Sequence, residues 1–189
     1  MIGHHLIVGG QRSGKSGQAE RLALAAAAKG GAVTVLATAL ALDDEMRARI
    51  AHHQQTRPAG FGTVEAPLAL AQGLRAIANT PGRLILVDCL TLWLTNWLMP
   101  MNGRPDLPGW AAERQALLDV LPGLASPVIF VSNEVGWGVS PMSREARFFV
   151  DELGRLNQAV ALRCRDLTLM VAGQAWTRDV TPGAPNETD

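Results

Sequence analysis

Eight residues near the N-terminus constrain this chain most: Gly9-Gly10-Gln11-Arg12-Ser13-Gly14-Lys15-Ser16. They fit G-x-x-x-x-G-K-[ST]. They lie between a predicted strand, Leu6-Ile7-Val8, and a predicted helix that runs through Ala19 to Lys29 and stops at Gly30-Gly31. The glycines let the backbone curl so that successive N–H groups converge on phosphate oxygens, and the helix N-terminus adds positive potential. A lysine at this position neutralises β- and γ-phosphates, and the hydroxyl after it ligates Mg²⁺. Of 17 basic residues only Lys15 and Lys29 are lysines, so the placement of one of them here is informative. The expectation is a phosphate-binding loop for a nucleoside triphosphate, with Mg²⁺ at Ser16.

The rest of the chain alternates between short apolar runs and helical spacing. Strands are predicted at Val33–Ala37, Thr63–Glu65, Leu84–Val87, Val128–Val131 and Leu167–Ala172. Helices are predicted at Asp43 to about Gln55, Leu68–Ala78, Leu90–Leu98, Ala111–Leu121 and Ser143 to about Cys164. Met99 to Gly109, with three prolines and two glycines, reads as a loop. This order implies an α/β, P-loop NTPase-like fold: a mostly parallel sheet with helices on both faces. One catalytic domain is expected over residues 1–180, with 181–189 as a frayed tail. In such sheets the site lies beyond the carboxyl ends of the strands. That rule selects the segments after Val8, Ala37, Val87, Val131 and Val171.

Composition excludes several classes. The 17 acidic residues balance the 17 basic ones, so the broad positive field of a nucleic-acid binder is missing. Cys89 and Cys164 stand far apart, which argues against a disulfide scaffold or a cysteine-rich zinc site and suits two reduced thiols in a cytoplasmic protein. No secretory signal is visible. The most apolar stretch, Leu84 to Met101, holds Asp88, Thr91, Thr95 and Asn96, and reads as a strand followed by a helix, not as a membrane span. That helix is apolar nearly all round, with Trp93 and Trp97, so it is expected to be buried in the core or against another subunit.

Three further segments carry candidate chemistry. Asp88 ends an apolar strand, where phosphate-loop proteins place the carboxylate that helps hold Mg²⁺; an Asp there is also a common helix N-cap. His52 and His53 lie near the end of the Asp43 helix. His53 shares a face with Ile50 and Met46, and His52 shares one with Arg49 and Glu45, so the two diverge and are not a metal pair. A neutral imidazole can attack phosphorus, but a solvated histidine at a helix C-terminus has the same spacing. The loop Val131-Ser132-Asn133-Glu134-Val135-Gly136-Trp137-Gly138 follows a buried strand and should also reach the active edge. These residues alone do not separate a kinase from a nucleotide-driven regulator. Neither lysine sits in an Asn-Lys-x-Asp run, which disfavours a Ras-like switch.

Together and in this order, the GGQRSGKS loop, the LDDEMRARIAHHQQTRP segment, the LVDCLT strand end, the SNEVGWGVSP loop and the ELGRLNQAVA run resemble one family. It is the bifunctional adenosylcobinamide kinase / adenosylcobinamide-phosphate guanylyltransferase family of cobalamin biosynthesis. The resemblance spans about Leu6 to Gly173. It implies transfer of the γ-phosphoryl of ATP or GTP to the hydroxyl of adenosylcobinamide. A second reaction then moves GMP from GTP to adenosylcobinamide phosphate through a GMP-histidine intermediate, giving adenosylcobinamide-GDP and pyrophosphate.

Carried over by position, the resemblance implies that His53 is the nucleophile. It implies nucleotide contacts from Gly9, Gly10, Gln11, Arg12, Ser13, Gly14, Lys15 and Ser16, from Ala37, Thr38 and Ala39, from Gln54, Gln55, Thr56 and Arg57, and from Glu65 and Asp88. Ser16 and Asp88 are the expected metal residues. A homotrimer is also implied. The chain departs from the family pattern at Gln11, where a small residue is expected, and at Trp137, which is bulkier than expected. A simple kinase with a structural His53, or a nucleotide-binding regulator with a protein partner, are the competing readings.

Overall fold

In the computed structural model, residues 3–41, 43–80, 82–101 and 103–181 are described. The predicted tail beyond residue 181 lies outside them. Seven strands form one sheet: β1 (His5–Gly9), β2 (Ala32–Ala37), β3 (Gly62–Glu65), β4 (Arg83–Asp88), β5 (Val128–Asn133), β6 (Asp166–Val171) and β7 (Gln174–Asp179). Their spatial order is β3-β2-β4-β5-β1-β6-β7. The first six are mutually parallel, and β7 runs antiparallel to β6. The helices are α1 (Lys15–Ala27), α2 (Asp44–Thr56), α3 (Leu70–Ile77), α4 (Leu90–Leu98), α5 (Leu107–Val120) and α6 (Arg144–Ala161).

Side chains alternate across the central strands, and each side is buried against different helices. On one face Leu6, Val8, Leu36, Ile85, Val87 and Phe130 pack with Leu70 and Leu74 of α3, Trp93 of α4, Leu117 of α5 and Leu153, Leu156 and Val160 of α6. On the other, Ile7, Val33, Val35, Leu86 and Ile129 meet Ala19 and Ala23 of α1. The two alanines give α1 a small contact surface, so the helix that carries Lys15 can lie close to the strands.

Several boundaries differ from the sequence expectation. α1 begins at Lys15, so the last two residues of the phosphate loop are already the first helical turn. α5 begins at Leu107, inside the expected loop. Asp106 caps it by accepting from the Gly109 N–H at 2.9 Å, and Pro108 falls in the first turn, where its missing N–H costs nothing. β5 runs on through Ser132 and Asn133, which were expected in a loop. β7 was not predicted. All its residues are exposed, so it lacks the apolar alternation by which a strand is read. It returns from β6 through a two-residue turn in which Ala172 and Gly173 both have positive φ, 50° and 78°, as a tight hairpin requires.

Trp93 is fully buried and packs edge-to-face on Trp110, with ring centroids 5.0 Å apart. Its indole N–H donates to the Leu68 carbonyl at 2.8 Å. Of the two expected settings for the α4 tryptophans, the core therefore accounts for Trp93, and Trp97 packs half-buried at its margin. Cys89 is half-buried and Cys164 buried, and both are free thiols. Among the described residues no helix is long and apolar enough to cross a membrane.

Candidate active site

The phosphate loop leaves β1 at Gly9 and enters α1 through Gly14. Gly14 is the N-cap of α1 and has φ 100°, a conformation that disfavours any residue with a side chain. Its Cα side faces the β6–β7 turn, where an added Cβ would stand 3.3 Å from the Gly173 Cα. At Gly9 an added Cβ would run into the Met170 carbonyl oxygen. The loop is held from outside: the Gly173 N–H donates to the Ser13 carbonyl at 3.0 Å, and the Glu134 N–H donates to the Gly9 carbonyl at 3.0 Å. Lys15 is 7% exposed, and its ammonium donates to the Gly10 carbonyl at 2.6 Å, across the loop it serves. Burial pushes the Lys15 pKa down, against the opposing pull of Cys89 and Asp88.

Beside the loop lies a cavity of about 540 Å³, walled by the carboxyl ends of β2, β4 and β5 and roofed by α2. Eleven expected site residues line it: Gln11, Arg12, Lys15, Ser16, Ala37, Ala39, His53, Gln54, Arg57, Glu65 and Asp88. Gly9, Gly10, Ser13 and Gly14 supply the curl behind them and do not line it. The Ser13 hydroxyl is buried with no hydrogen-bond partner.

α2 is amphipathic in the way its histidines suggested. Asp43 caps it, accepting from the Met46 N–H at 2.7 Å. Arg47 pairs with Asp44 at 2.6 Å on its solvent side. Met46, Ile50 and His53 are half-buried on the other side and face the cavity. His52 points elsewhere, its ring centroid 6.3 Å from that of His53 with the planes 66° apart. Just past the helix, Arg57 donates to the Thr63 hydroxyl at 2.5 Å, which turns its guanidinium toward β3.

Asp88 sits half-buried on the cavity floor at the end of β4. Burial raises its pKa above the usual carboxylate range, and His53, Arg57 and Lys15 pull the other way. These three side chains are therefore close enough to act on one carboxylate. Its neighbour Cys89 also lines the cavity, and burial beside Asp88 pushes that thiol up to about 12.

Thr38 stands apart from the other expected contacts. It is completely buried. Its N–H donates to the Asp88 carbonyl at 3.0 Å, its hydroxyl donates to the Cys89 carbonyl at 2.8 Å, and that same hydroxyl accepts from the Cys89 N–H at 2.8 Å. The Asn96 amide donates to the Thr38 carbonyl at 2.7 Å. With every polar group taken, Thr38 stitches the ends of β2 and β4 together beneath the cavity. Gln55 is exposed on α2 and does not line the cavity; for Thr56 only the backbone, at the end of α2, is described.

Asn133, part of the Val131–Gly138 segment expected at the active edge but given no role of its own there, also lines the cavity. The sheet order puts β5 between β1 and β4, so the residue at its end falls between Lys15 and Asp88. Its N–H donates to the Thr91 hydroxyl at 2.8 Å, and its carbonyl accepts from the Asn157 amide at 3.0 Å. These bonds fix the backbone and leave the amide side chain at the cavity. The strand-end rule had brought this segment to the active edge; which residues it meets there depends on spatial strand order, which nothing in the sequence fixes.

A solved structure described as an ATPase domain superposes with a TM-score of 0.52 at 13% identity, covering 89% of this chain and 69% of that one, so the two share a fold. The bifunctional adenosylcobalamin biosynthesis protein CobP of Pseudomonas aeruginosa is 53% identical over 168 residues, 89% of this chain and 92% of the relative. The bifunctional adenosylcobalamin biosynthesis protein CobU of Escherichia coli is 39% identical over 177 residues, 89% of this chain and 95% of the relative. Residues 5–177, which contain the phosphate loop, α2 and Asp88, match the family described as cobinamide kinase / cobinamide phosphate guanyltransferase, and the chain belongs to that family.

Proposed function

We propose that one cavity serves both half-reactions. It takes ATP or GTP to phosphorylate adenosylcobinamide, and GTP to transfer GMP to adenosylcobinamide phosphate through His53. The observation that carries this reading is the meeting of His53 with Lys15, Arg57 and Asp88 in one cavity, although they lie on separate elements. A kinase alone has no need of an imidazole there.

Phosphoryl transfer depends chiefly on positioning and on charge stabilisation. The loop N–H groups and the Lys15 ammonium would bind the β- and γ-phosphates, and the acceptor hydroxyl would attack the γ-phosphorus in line. In the second reaction an unprotonated His53 nitrogen attacks the α-phosphorus of GTP. The bond from that phosphorus to the bridging oxygen breaks, and pyrophosphate leaves with its charge on Lys15 and the loop. The phosphate of the acceptor then attacks the same phosphorus, the P–N bond breaks, and His53 is restored. Arg57 could brace the α-phosphate, and Glu65 could accept from a ribose hydroxyl.

Ser16 and Asp88 present a hydroxyl and a carboxylate to the same cavity. Among the described residues no cluster of three or more His, Cys, Asp or Glu could hold a metal without help. Two oxygen donors that leave the remaining positions to phosphates and water suit Mg²⁺. When bound, the ion would neutralise charge on the phosphates. One catalytic domain over residues 1–180, a cytoplasmic location and a homotrimer complete the reading.

Intact mass after incubation with Mg²⁺ and GTP tests it. The expected result is a gain of one GMP that is lost in mild acid and stable in base. His53→Ala should abolish the gain and guanylyl transfer while retaining phosphorylation of adenosylcobinamide; His52→Ala should keep both. No gain in the wild-type protein, with phosphoryl transfer intact, would reduce the assignment to a simple kinase.

A further inference from the structure

We propose that residues 135–142, the loop after β5, form the docking surface for the corrin macrocycle of the acceptor; this rests on the functional reading above. Three of its side chains are large, apolar and uncovered. Trp137 is 71% exposed, Val139 98% and Met142 96%. Single exposed apolar residues need no explanation, but three within six positions of one loop concentrate apolar surface in one segment, as binding segments do.

The loop is built and held. The Arg147 guanidinium donates to the Pro141 carbonyl at 2.9 Å and to the Met142 carbonyl at 2.7 Å. The Gly136 N–H donates to the Glu134 carboxylate at 3.1 Å, and the Ser143 hydroxyl caps α6 by accepting from the Ala146 N–H at 3.0 Å. The apolar side chains are thus presented to solvent from an anchored backbone.

Position and size identify the occupant. The catalytic cavity, about 540 Å³, is of a size to enclose a nucleotide. It cannot also enclose a cobalt corrin with its amide arms, so only the reacting arm of the acceptor can enter, and the ring must rest outside. The loop follows β5, whose last residue, Asn133, lines that cavity. Val135 is two residues beyond Asn133, a distance of about 7 Å in extended chain. Val135 also opens a second cavity of about 370 Å³, lined further by Val139, Ser140, Arg147 and Asp151. A corrin has a broad apolar face fringed by carboxamides. Trp137, Val139 and Met142 offer an apolar platform for the face, and Ser140 and Asp151 offer hydrogen-bonding partners for the fringe.

The test is direct binding of adenosylcobinamide, followed by its visible absorbance in equilibrium dialysis. It compares wild-type protein, Trp137→Ala and the double variant Val139→Ser/Met142→Ser. All three positions are exposed, so the variants should fold. The proposal expects the corrinoid Kd to rise about tenfold or more in each variant, with ATP affinity, covalent GMP uptake from GTP and solution mass unchanged. Corrinoid affinity within twofold of wild type would overturn it. So would a fall in solution mass in the variants, which would make the patch an interface between copies of this chain. Wild-type protein that binds the corrinoid but takes no GMP would overturn the role given to His53 and leave the docking surface standing.

Discussion

Asn133 shows how one residue acquires a role from its surroundings. Its backbone is pinned by Thr91 and Asn157, and its side chain faces the cavity between Lys15 and Asp88. An amide there can donate to the charge that develops on a transferred phosphoryl group, which is where fixed donors have most effect. Asn133→Ala should therefore lower kcat for phosphoryl transfer about 10- to 100-fold, with ATP affinity changed only a few-fold. Equal losses in kcat and affinity, read from steady-state kinetics beside nucleotide titration, would make its role one of binding. At this scale the sequence was legible where chemistry is written in a contiguous run, as in Gly9 to Ser16. It was less so at Thr38, whose likeness to a contact residue hides a structural post.

Between elements, the contact of α5 with α6 turns on Glu152. It is 8% exposed and accepts from the Trp110 indole at 2.8 Å, from Arg155 at 2.7 Å and from Arg114 at 3.3 Å. Burial pushes its pKa up, but these hydrogen bonds and the two guanidinium charges outweigh burial and hold it below the usual range. Glu152→Ala would leave a buried indole N–H and a half-buried guanidinium unpaired. Breaking a fully buried pair costs about 3–5 kcal/mol. Here Arg155 is 57% exposed and water can screen it, so about 2–3 kcal/mol is expected, read as a lower denaturation midpoint at unchanged m-value. The helix itself was legible, because Leu153, Leu156 and Val160 recur at helical spacing on its buried face. The partners of Glu152 were not, since Trp110 lies 42 residues away on an element whose start was obscured by Pro105 and Pro108.

Over the whole molecule, His4 ties the N-terminal segment to two distant parts of the chain. One ring nitrogen bonds the Leu121 carbonyl at 2.9 Å, and the other accepts from the Val128 N–H at 3.1 Å. The accepting nitrogen must be unprotonated. Burial lowers the His4 pKa, although the Leu121 bond opposes it; burial also lowers that of His5, against Asp166. The unfolded chain takes up protons near the ordinary imidazole value of about 6.5, and the folded chain resists them. Below that pH the unfolded state binds more protons, so stability is intact above it and falls as pH drops. Thermal midpoints should decline between pH 8 and pH 5.5, and His4→Gln/His5→Gln should flatten the decline. An unaltered slope would assign it to other groups.

The sequence by itself determined the alternation of strands and helices, the phosphate loop, the carboxylate at the end of β4, and the face of α2 that carries His53. Each follows from periodicity or from a short run of residues, which are local properties of the chain. Tertiary structure alone decided that β5 lies between β1 and β4, which sets Asn133 between Lys15 and Asp88. It also decided that Thr38 is sealed beneath the cavity, that an exposed β7 closes the sheet edge, and that His53 stands over Asp88. Strand order and the docking of α2 depend on contacts between residues distant in sequence, and local spacing carries no record of them.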